Sequence, residues 1–543
     1  MTFDNCNGII QVEGGLSVCM NIKMIENEYW WGLSASLGVK MPFSKETDLT
    51  VDLGDRGTSN QIMPLLVSSK GRYIWSENPF CVTFKDGEIT LEGEEIILDE
   101  SGKNLKDAYL NASKNHFPFD NAELAHEFFE TAQYNGWMQF TYNPTQEKVL
   151  EYAHGIVDNG FEPGILIIDE GWHQPYGTWD FDKIKFPDPA KMVEELHNLG
   201  FKVMLWVCPF VRNDGEQYVK SMRYGAEFGE SKISTELYLR TDEEVWYSPA
   251  IVQWWNGYSA ILDFTKEADN NFLKIQLDAL MENYKIDGFK FDGGSWPYYS
   301  DLCCKNGHIL EEEKKYLRNI AWNEFGRAYK YHEYKDSYKC GGKCSISRLA
   351  DRAHSWDKNG LNTIIPNTIA QGLIGHPFVC PDMIGGGEWS MFLRDGFVFD
   401  EELFVRMAQA STYLPMMQFS LAPWEYLNEE NCSYCLDAAK KHKEIAPEII
   451  RLVNESRRSG EPIVKPMAYE FPEENYETVK DYFIFGKNTL VAPVLEKGHI
   501  TKTVRLPKGF NWEYIDGSIY HGGETVTVSA PISVLPVFTK IEI

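Results

Sequence analysis

The chain has 543 residues, of which 43% are hydrophobic, and its 80 acidic against 52 basic side chains give a formal net charge of −28. This length exceeds what one hydrophobic core usually organises, so we expect two or three domains. The negative charge is spread along the chain and repels phosphate groups, which argues against nucleic acid or a membrane surface as a partner.

The first residues, MTFDNCNGIIQVEGG, lack the basic segment and apolar run of a secretory signal, and no stretch approaches the ~20 apolar residues of a membrane span. We therefore expect a soluble, cytoplasmic protein. Eleven cysteines at irregular spacing fit reduced thiols better than a disulfide framework. Cys340 with Cys344, or Cys432 with Cys435, resembles half of a zinc site, but neither has a second pair nearby, so no metal is expected.

The first 120 residues read as short strands separated by turns. The strand segments are LTVDLG, PLLVSSKGRYIW and PFCVTFKDGEITLEGEEIIL, with Gly, Asp and Asn at the turns. This pattern predicts an N-terminal β-sandwich domain over residues 1–120.

Helix and strand patterns then alternate over residues 121–458. Helical segments such as PTQEKVLEYAHGIVDNG and DPAKMVEELHNLG precede short apolar runs such as PGILIID, FKVMLWVCP and IDGFKFDGG. Each helix ends near a glycine and polar or aromatic residues follow each apolar run, which is typical of repeated βα units. Because no glycine fingerprint for phosphates follows the first strands, the predicted fold class is α/β, a (β/α)8 TIM barrel.

Strand patterns return after the helical segment CLDAAKKHKEIAPEIIRLVNE. The strands expected there lie in KDYFIFGKNTLVAPVLE, TKTVRLP, NWEYIDG and TVTVSAPISVLPVF. They predict a C-terminal β-sandwich domain over residues 459–543.

Acidic residues follow several of the apolar runs, at the positions where the catalytic groups of a barrel lie. They are Asp169 and Glu170 after GILII, Asp292 after GFKF, Asp382 after FVCP, and Asp357 in the SWD element. A carboxylate beside an apolar run costs free energy unless it is paired, hydrogen-bonded or facing a wet cleft, so these sites predict a shared acidic pocket. Two facing carboxyl groups are what glycoside hydrolysis needs, one as nucleophile and one as acid/base in a retaining enzyme.

Three motifs stand out: IDGFKFDGG, RLADRAHSWDKNG and CPDMIGGG. They resemble the F-K-x-D type strand end, the H-W-x-G-D type motif and the D-I-G-G of glycoside hydrolase family 31. Further segments resemble an α-galactosidase-like branch of that family, namely IIDEGWHQPYGTWDFD, LWVCPFV, LPMMQFSLAPWEY, GEPIVKP and LVAPVLE. The likeness extends over nearly the whole chain, from SSKGRYIWSENPF to LPVF.

The resemblance implies roles for individual residues. Asp292 would be the nucleophile, and Lys290 in the same strand would contact sugar hydroxyls. Asp357 would be the general acid/base, with Asp351 as the competing candidate because the family's motif is contracted here to H-S-W-D. Asp169 resembles the acid that family members use on the distal hydroxyls of the terminal sugar.

The resemblance also suggests further pocket residues. Arg348 would supply a cation to the nucleophile or to a hydroxyl, unless Lys335 or Lys343 holds that place. Asp382 either binds substrate or fixes the strand-end turn, and Glu170 is a surface group or lies behind the pocket. The candidate pocket walls, each with core packing as the alternative, are Trp206, Trp172, Trp296 and His354.

The implied activity is retaining, exo-acting hydrolysis of an α-glycoside or small oligosaccharide, without metal or other cofactor and with an α-galactoside as the first candidate. α-Glucosidase, α-xylosidase and α-N-acetylgalactosaminidase activities stay open, as do transglycosylation and a homo-oligomeric state. Many relatives carry a glutamate shortly after the nucleophile, where this chain has Gly293, Gly294 and Ser295. That departure keeps a catalytically silent sugar-binding protein as the alternative.

Overall fold

The computed structural model describes residues 8–12, 15–54, 60–173, 175–212, 214–215, 237–241, 244–248, 251–295, 298 and 316–541. The chain divides into two compact units. The first unit comprises residues 1–123, 339–418 and 426–543, and the second comprises residues 124–338 and 419–425. The division into three domains stays a prediction.

The second unit carries a parallel sheet with helices between its strands. Its strands, in sheet order, are Gln133–Asn135, Ile165–Ile168, Lys202–Val207, Gly288–Phe291 and Tyr331–Tyr334. The helices of this region are Glu127–Glu130, Trp137–Phe140, Gln146–Asp158, Pro189–Asn198, Glu267–Tyr284 and Tyr316–Arg327, and a short strand, Ser337–Tyr338, follows. Strand and helix alternate here as the sequence predicts.

Local signals in the sequence set the helix starts. Thr145 caps the first long helix because its side chain accepts a hydrogen bond from the backbone N–H of Lys148. Asp188 caps the next helix in the same way, and Pro189 occupies the first helical position, where its missing N–H costs nothing.

The strand ends place the acidic residues. Ile165–Ile168 is buried along its whole length, as expected of a parallel strand covered on both faces. Its neighbour Lys202–Val207 pairs in parallel with Gly288–Phe291 on the other side. Because parallel strands run in one direction, Asp169 and Asp292 both follow strands that end at the same edge of the sheet.

A small antiparallel sheet is inserted before the strand Gly288–Phe291, and the sequence patterns did not predict it. Its strands, in order, are Phe210–Arg212, Gly257–Ile261 and Ile251–Trp254, and a separate ribbon pairs Leu237–Thr241 with Glu244–Ser248. Phe210 and Trp254 stack with ring centroids 4.2 Å apart and pack with Trp206 of the parallel sheet. The insertion therefore rests on a barrel strand.

The N-terminal part of the first unit contains two antiparallel sheets. One orders its strands as Gly8–Val12, Gly15–Lys23, Glu88–Gly93, Phe80–Lys85 and Leu49–Asp52; the other contains Trp30–Ser34, Gln61–Ser68, Tyr73–Trp75 and Ile97–Asp99. A 3-10 helix spans Ala35–Lys40. The α-helix Leu105–His116, capped by Asn104, lies in a region that we expected to be strands alone.

The middle of the first unit contains one more βα unit, in which Ile346–Arg348 pairs in parallel with Val379–Cys380 and the helix Ile364–Leu373 connects them. The following elements of this unit are Leu361–Thr363, Met383–Ile384, Trp389–Leu393, Glu401–Ser411 and Glu429–Ser459. Gln418–Phe419 and Pro423–Tyr426 lie where the chain passes through the second unit.

The C-terminal strands follow the predicted segments. A six-stranded sheet has the order Val464–Lys465, Phe483–Phe485, Thr489–Val491, Val537–Ile541, Asn511–Tyr514 and Ile519–His521, and Thr501–Arg505 pairs with Thr525–Ser529. A short helix, Met467–Glu470, lies between the first two strands. Within the described ranges, no helix has the length and apolar character that crossing a membrane requires.

Candidate active site

Asp292 directly follows the strand Gly288–Phe291, and its carboxylate is held from two directions. Trp206 Nε1 donates to Oδ2 at 3.0 Å, and the backbone N–H of Gly293 donates to Oδ1 at 2.8 Å. The residue is only 8% exposed. With both oxygens hydrogen-bonded, the carboxylate has a fixed orientation, which is what attack on an anomeric carbon requires.

Asp169 and Lys290 form a buried ion pair at the same sheet edge. Lys290 Nζ lies 2.7 Å from Asp169 Oδ2, and the two side chains are 3% and 4% exposed. The backbone N–H of Glu170 donates to the other Asp169 oxygen at 2.8 Å. A lysine ammonium has three N–H donors, so Lys290 can hold Asp169 and also donate to a sugar hydroxyl.

The predicted tryptophan walls have different roles. Trp206 is 1% exposed and acts as the hydrogen-bond donor to Asp292. Trp172 is fully buried, and its Nε1 donates to the backbone carbonyl of Trp206 at 2.8 Å. Trp172 therefore belongs to the core and supports Trp206 from behind, which corrects its prediction as a pocket wall. Trp296 lies outside the described residues.

Glu170 is a functional candidate that the sequence left as a surface or supporting group. It is 3% exposed, and its carboxylate accepts hydrogen bonds from the Tyr176 hydroxyl, the Trp255 indole and the Asn256 amide. Burial raises the pKa of Glu170 to about 7, against the lowering effect of the Tyr176 bond, and the nearby Asp169 and Asp292 add to the rise. Its position immediately after Asp169 at a strand end was the available signal.

The structure explains why glycine occupies the two positions after Asp292. Gly293 and Gly294 both adopt φ of 64°, which favours glycine. A Cβ on Gly294 would lie 2.6 Å from the Trp322 ring, and one on Gly293 would lie 2.7 Å from the Phe210 ring. The loop therefore cannot carry a glutamate at either position without moving an aromatic side chain.

A second charged cluster lies in the first unit, around the end of the strand Ile346–Arg348. Arg348 is fully buried and donates to Asp382 at 2.6 Å and to Asp351 at 3.2 Å. Asp382 also accepts from the backbone N–H of Arg352 at 2.9 Å and is 1% exposed. These contacts favour the turn-fixing role of Asp382, and they favour Arg348 over the exposed Lys343 as the buried cation.

Asp351 and Asp357 differ in their surroundings. Both residues are exposed, and the Asp351 side chain, 29% accessible, is paired with a buried arginine. Asp357 is exposed, and its carboxylate accepts from the backbone N–H of Asn359 and from the Ser355 hydroxyl, both at 2.8 Å. These hydrogen bonds lower the pKa of Asp357 and commit its carboxylate to its own turn. The Arg348 cation favours an ionised Asp351 in the same way, so what distinguishes Asp351 is its place beside the buried Arg348 and Asp382.

His354 holds two loop segments together through its ring nitrogens. Its Nδ1 lies 2.8 Å from the carbonyl of Gly385, and its Nε2 accepts from the backbone N–H of Asp400 at 3.0 Å. The ring stacks on Phe399 at 4.7 Å and is 6% exposed. Because both ring nitrogens are engaged and the ring is buried, the contacts favour the core-packing alternative for His354.

Family models match both the barrel region and the C-terminal region. Residues 131–445, more than half of the chain, match the glycosyl hydrolases family 31 TIM-barrel domain, and residues 460–542 match the glycosyl hydrolase family 31 C-terminal domain. The chain belongs to glycoside hydrolase family 31. The family resemblance and the TIM barrel inferred from the sequence are thereby confirmed.

Two curated relatives of this family 31 chain illustrate the match. The myogenesis-regulating glycosidase of Mus musculus is 31% identical over 415 residues, which cover 75% of this chain and 55% of that protein. The SITS-binding protein of Tetronarce californica is 32% identical over 351 residues, which cover 62% of this chain and 47% of that protein. The chain thus spans about half the length of these relatives.

Solved structures show the same fold. The family 31 dextranase of Flavobacterium johnsoniae, complexed with glucose, matches with a TM-score of 0.77 at 19% identity. The match covers 98% of this chain and 67% of the dextranase chain.

Proposed function

We propose that this family 31 chain is a retaining, exo-acting α-glycoside hydrolase with Asp292 as its nucleophile. The observation that carries the proposal is the Asp292 carboxylate, buried at a barrel strand end and oriented by Trp206 and Gly293. The buried Asp169–Lys290 pair at the same edge offers charged groups to the sugar hydroxyls.

The proposed reaction has two displacements. Asp292 attacks the anomeric carbon while the acid/base protonates the glycosidic oxygen, so the bond to the leaving group breaks as a glycosyl–aspartate ester forms. The acid/base, now ionised, then takes a proton from water. The activated water attacks the anomeric carbon, displaces Asp292 and releases the sugar with its configuration retained.

We assign the acid/base role to Asp351. Its carboxyl is partly accessible and is oriented by the fully buried Arg348, whereas the Asp357 carboxylate is committed to its own turn. In this assignment the contracted H-S-W-D element is a structural turn, and the catalytic acid lies six residues earlier in the motif.

A covalent trap tests the nucleophile. Incubation with 5-fluoro-α-galactosyl fluoride, followed by peptide mass spectrometry, is expected to place the label on Asp292. Asp292→Ala should neither label nor turn over substrate, while Asp287→Asn, four residues before the strand end, should still label. A label on another carboxylate, or turnover by Asp292→Ala, would contradict the assignment.

The identity of the terminal sugar is a separate and more specific proposal. We take an α-galactoside as the first substrate, since the motifs resemble an α-galactosidase-like branch of the family. A panel of 4-nitrophenyl α-glycosides of galactose, glucose, xylose and N-acetylgalactosamine distinguishes the alternatives. The highest kcat/KM in the panel identifies the terminal sugar.

A catalytically silent sugar-binding protein is the second candidate. It is favoured by the loop after Asp292, where Gly293 and Gly294 replace the acidic residue of many relatives and leave no room for a side chain. Sugar binding by calorimetry, without covalent labelling across 5-fluoro sugars of the same panel, would support this alternative.

A further inference from the structure

The inserted hairpin ends in a tip that reaches Glu170. Its two strands are Ile251–Trp254 and Gly257–Ile261, so the tip consists of Trp255 and Asn256. Trp255 Nε1 lies 3.2 and 3.3 Å from the two carboxylate oxygens of Glu170, and Asn256 Nδ2 lies 2.6 Å from Oε1. The Tyr176 hydroxyl donates to the same oxygen at 2.6 Å. Three side chains therefore converge on one buried carboxylate.

The Trp255 side chain is exposed to solvent but held in place by a hydrogen bond. The residue is 45% exposed, yet its indole N–H is bound by the carboxylate of Glu170, a residue that is 3% exposed. Its ring meets the Trp206 ring at 6.4 Å and 69° and the Phe210 ring at 6.0 Å and 87°, both edge contacts. An exposed aromatic ring held at its edge is suited to stacking on the apolar face of a sugar.

We propose that Glu170 is a positioning residue that holds the Trp255–Asn256 tip in place, so that the Trp255 ring contacts the substrate next to the Asp169 and Asp292 strand ends. The contact with substrate rests on the proposed function. The attachment of the tip to Glu170 rests on the hydrogen bonds alone and can be tested without substrate.

The donor chemistry makes the attachment depend on the charge of Glu170. The Trp255 indole and the Asn256 amide nitrogen can only donate, and an ionised carboxylate can accept from both and from Tyr176. A protonated carboxyl is neutral and carries a hydrogen on one oxygen, so the hydrogen bonds that it accepts from Trp255 and Asn256 are weaker than those accepted by the carboxylate. Proton uptake by Glu170 is therefore expected to loosen the tip.

The groups around Glu170 set the pH at which this happens. Burial is the main cause that raises its pKa to about 7, and the negative charges of Asp169 and Asp292 act in the same direction. The nearby cation Lys290 is ion-paired with Asp169, the residue before Glu170. The tip is then held above about pH 7 and loosened below it.

The test uses 19F NMR of the full chain labelled with 5-fluorotryptophan. The resonance missing from Trp255→Phe identifies Trp255. In the unmodified chain this resonance is expected to titrate with a midpoint near pH 7, and in Glu170→Gln it should keep one position from pH 5.5 to 8.5. A Trp255 resonance that does not titrate, or that titrates equally in Glu170→Gln, would overturn the proposal.

Glu127→Gln is the matched control. Glu127 also accepts a tyrosine hydroxyl, from Tyr331 at 2.6 Å, but it has no contact with the tip in the described part of the chain. This variant should reproduce the Trp255 titration of the unmodified chain. A lost titration in both glutamine variants would mean a general effect of the substitution and would count against the specific attachment.

Steady-state kinetics distinguish a positioning role of Glu170 from a purely structural one. Because stacking on Trp255 stabilises bound substrate and transition state alike, Glu170→Gln is expected to raise KM about tenfold with kcat within about twofold. In the unmodified chain KM should rise below pH 7, and in Glu170→Gln it should be equally high on both sides of pH 7. A loss confined to kcat would contradict the positioning role. If no glycoside is turned over, the NMR titration still decides the attachment while the proposed function fails separately.

Discussion

Trp206 Nε1 lies 3.0 Å from Asp292 Oδ2. This hydrogen bond links the strand Lys202–Val207 to the carboxylate that follows the neighbouring strand Gly288–Phe291. The two residues are 86 positions apart in the chain. Hydrogen bonds to charged groups contribute more than neutral ones, so this contact is central to the orientation of the Asp292 carboxylate, the proposed nucleophile.

Trp206→Phe removes this donor and keeps most of the ring. We expect kcat/KM to fall roughly 10- to 100-fold, the equivalent of about 1.5–3 kcal/mol for a hydrogen bond to a charged group. Steady-state kinetics on the best glycoside of the panel measures the loss. Trp179→Phe is the control, because the buried Trp179 indole nitrogen has no hydrogen-bond partner among the described residues. Equal losses in the two variants would refute the role of Trp206.

Azide rescue distinguishes Asp351 from Asp357. Glycine at the acid/base position leaves a glycosyl-enzyme that water attacks slowly, and azide, which needs no base, reacts with it. We expect azide to accelerate Asp351→Gly on a substrate with a good leaving group and to give a glycosyl azide of retained configuration. Asp357→Gly should keep most of its activity and show no rescue. The reverse pattern would restore Asp357 to the role.

Lys290→Met should destabilise the second unit and abolish activity. The substitution leaves Asp169 buried without its cation, and breaking a buried pair in this way typically costs about 3–5 kcal/mol. Differential scanning fluorimetry should show a melting temperature lower by several degrees. In the double variant with Asp169→Asn the buried charge is gone, so part of the stability should return. An unchanged melting temperature in Lys290→Met would show that Asp169 finds another partner or water.

Gly294→Ala tests the loop after Asp292. Its φ of 64° and the Trp322 ring, 2.6 Å from the position of a Cβ, are both unfavourable, and we expect a cost of about 2–4 kcal/mol. Gly517→Ala is the matched control, because Gly517 has φ of 87° but nothing within 4 Å of an added Cβ. The difference in melting temperature between the two variants isolates the steric term. If both lose the same stability, the Trp322 contact does not matter.

Glu170 should also contribute to the pH dependence of stability. Its folded pKa of about 7 exceeds the value of 4.5 for an unperturbed glutamate, so the folded chain keeps the proton where the unfolded chain has lost it. This favours folding at low pH, and the contribution falls by about 1.4 kcal/mol per pH unit as the pH rises from 4.5 to 7. Above pH 7 it is constant.

The melting temperature of Glu170→Gln, relative to the unmodified chain, is therefore expected to rise between pH 5 and pH 7 and to level off by pH 8. For Glu127, burial raises the pKa, but the hydrogen bonds from Tyr331 and Lys330 and the charge of Lys330 together outweigh it, so the pKa is lowered. The melting-temperature difference between Glu127→Gln and the unmodified chain should therefore not vary over this range. A flat profile for Glu170→Gln would place the Glu170 pKa near its ordinary value.

Several features followed from the sequence alone. The alternation of helices with short apolar runs predicted the parallel strands, and long motifs identified the family, because both are local properties of contiguous residues. Asp169 and Asp292 were found in the same way, since each directly follows a buried strand and a strand end fixes the direction in which the next side chain leaves the sheet.

Tertiary structure decided the roles that depend on contacts between distant parts of the chain. Glu170 is surrounded by residues such as Trp255, which lies 85 positions later in the chain. Trp255 belongs to a hairpin that the sequence patterns did not predict. Trp172 proved to be a core residue because its indole bonds the backbone of Trp206. Asp351 and Asp357 have the same side chain in one short motif, and only the buried Arg348 beside one and the exposed turn around the other distinguish them. Burial and pairing determine what a carboxylate can do, and neither is encoded in its immediate neighbours.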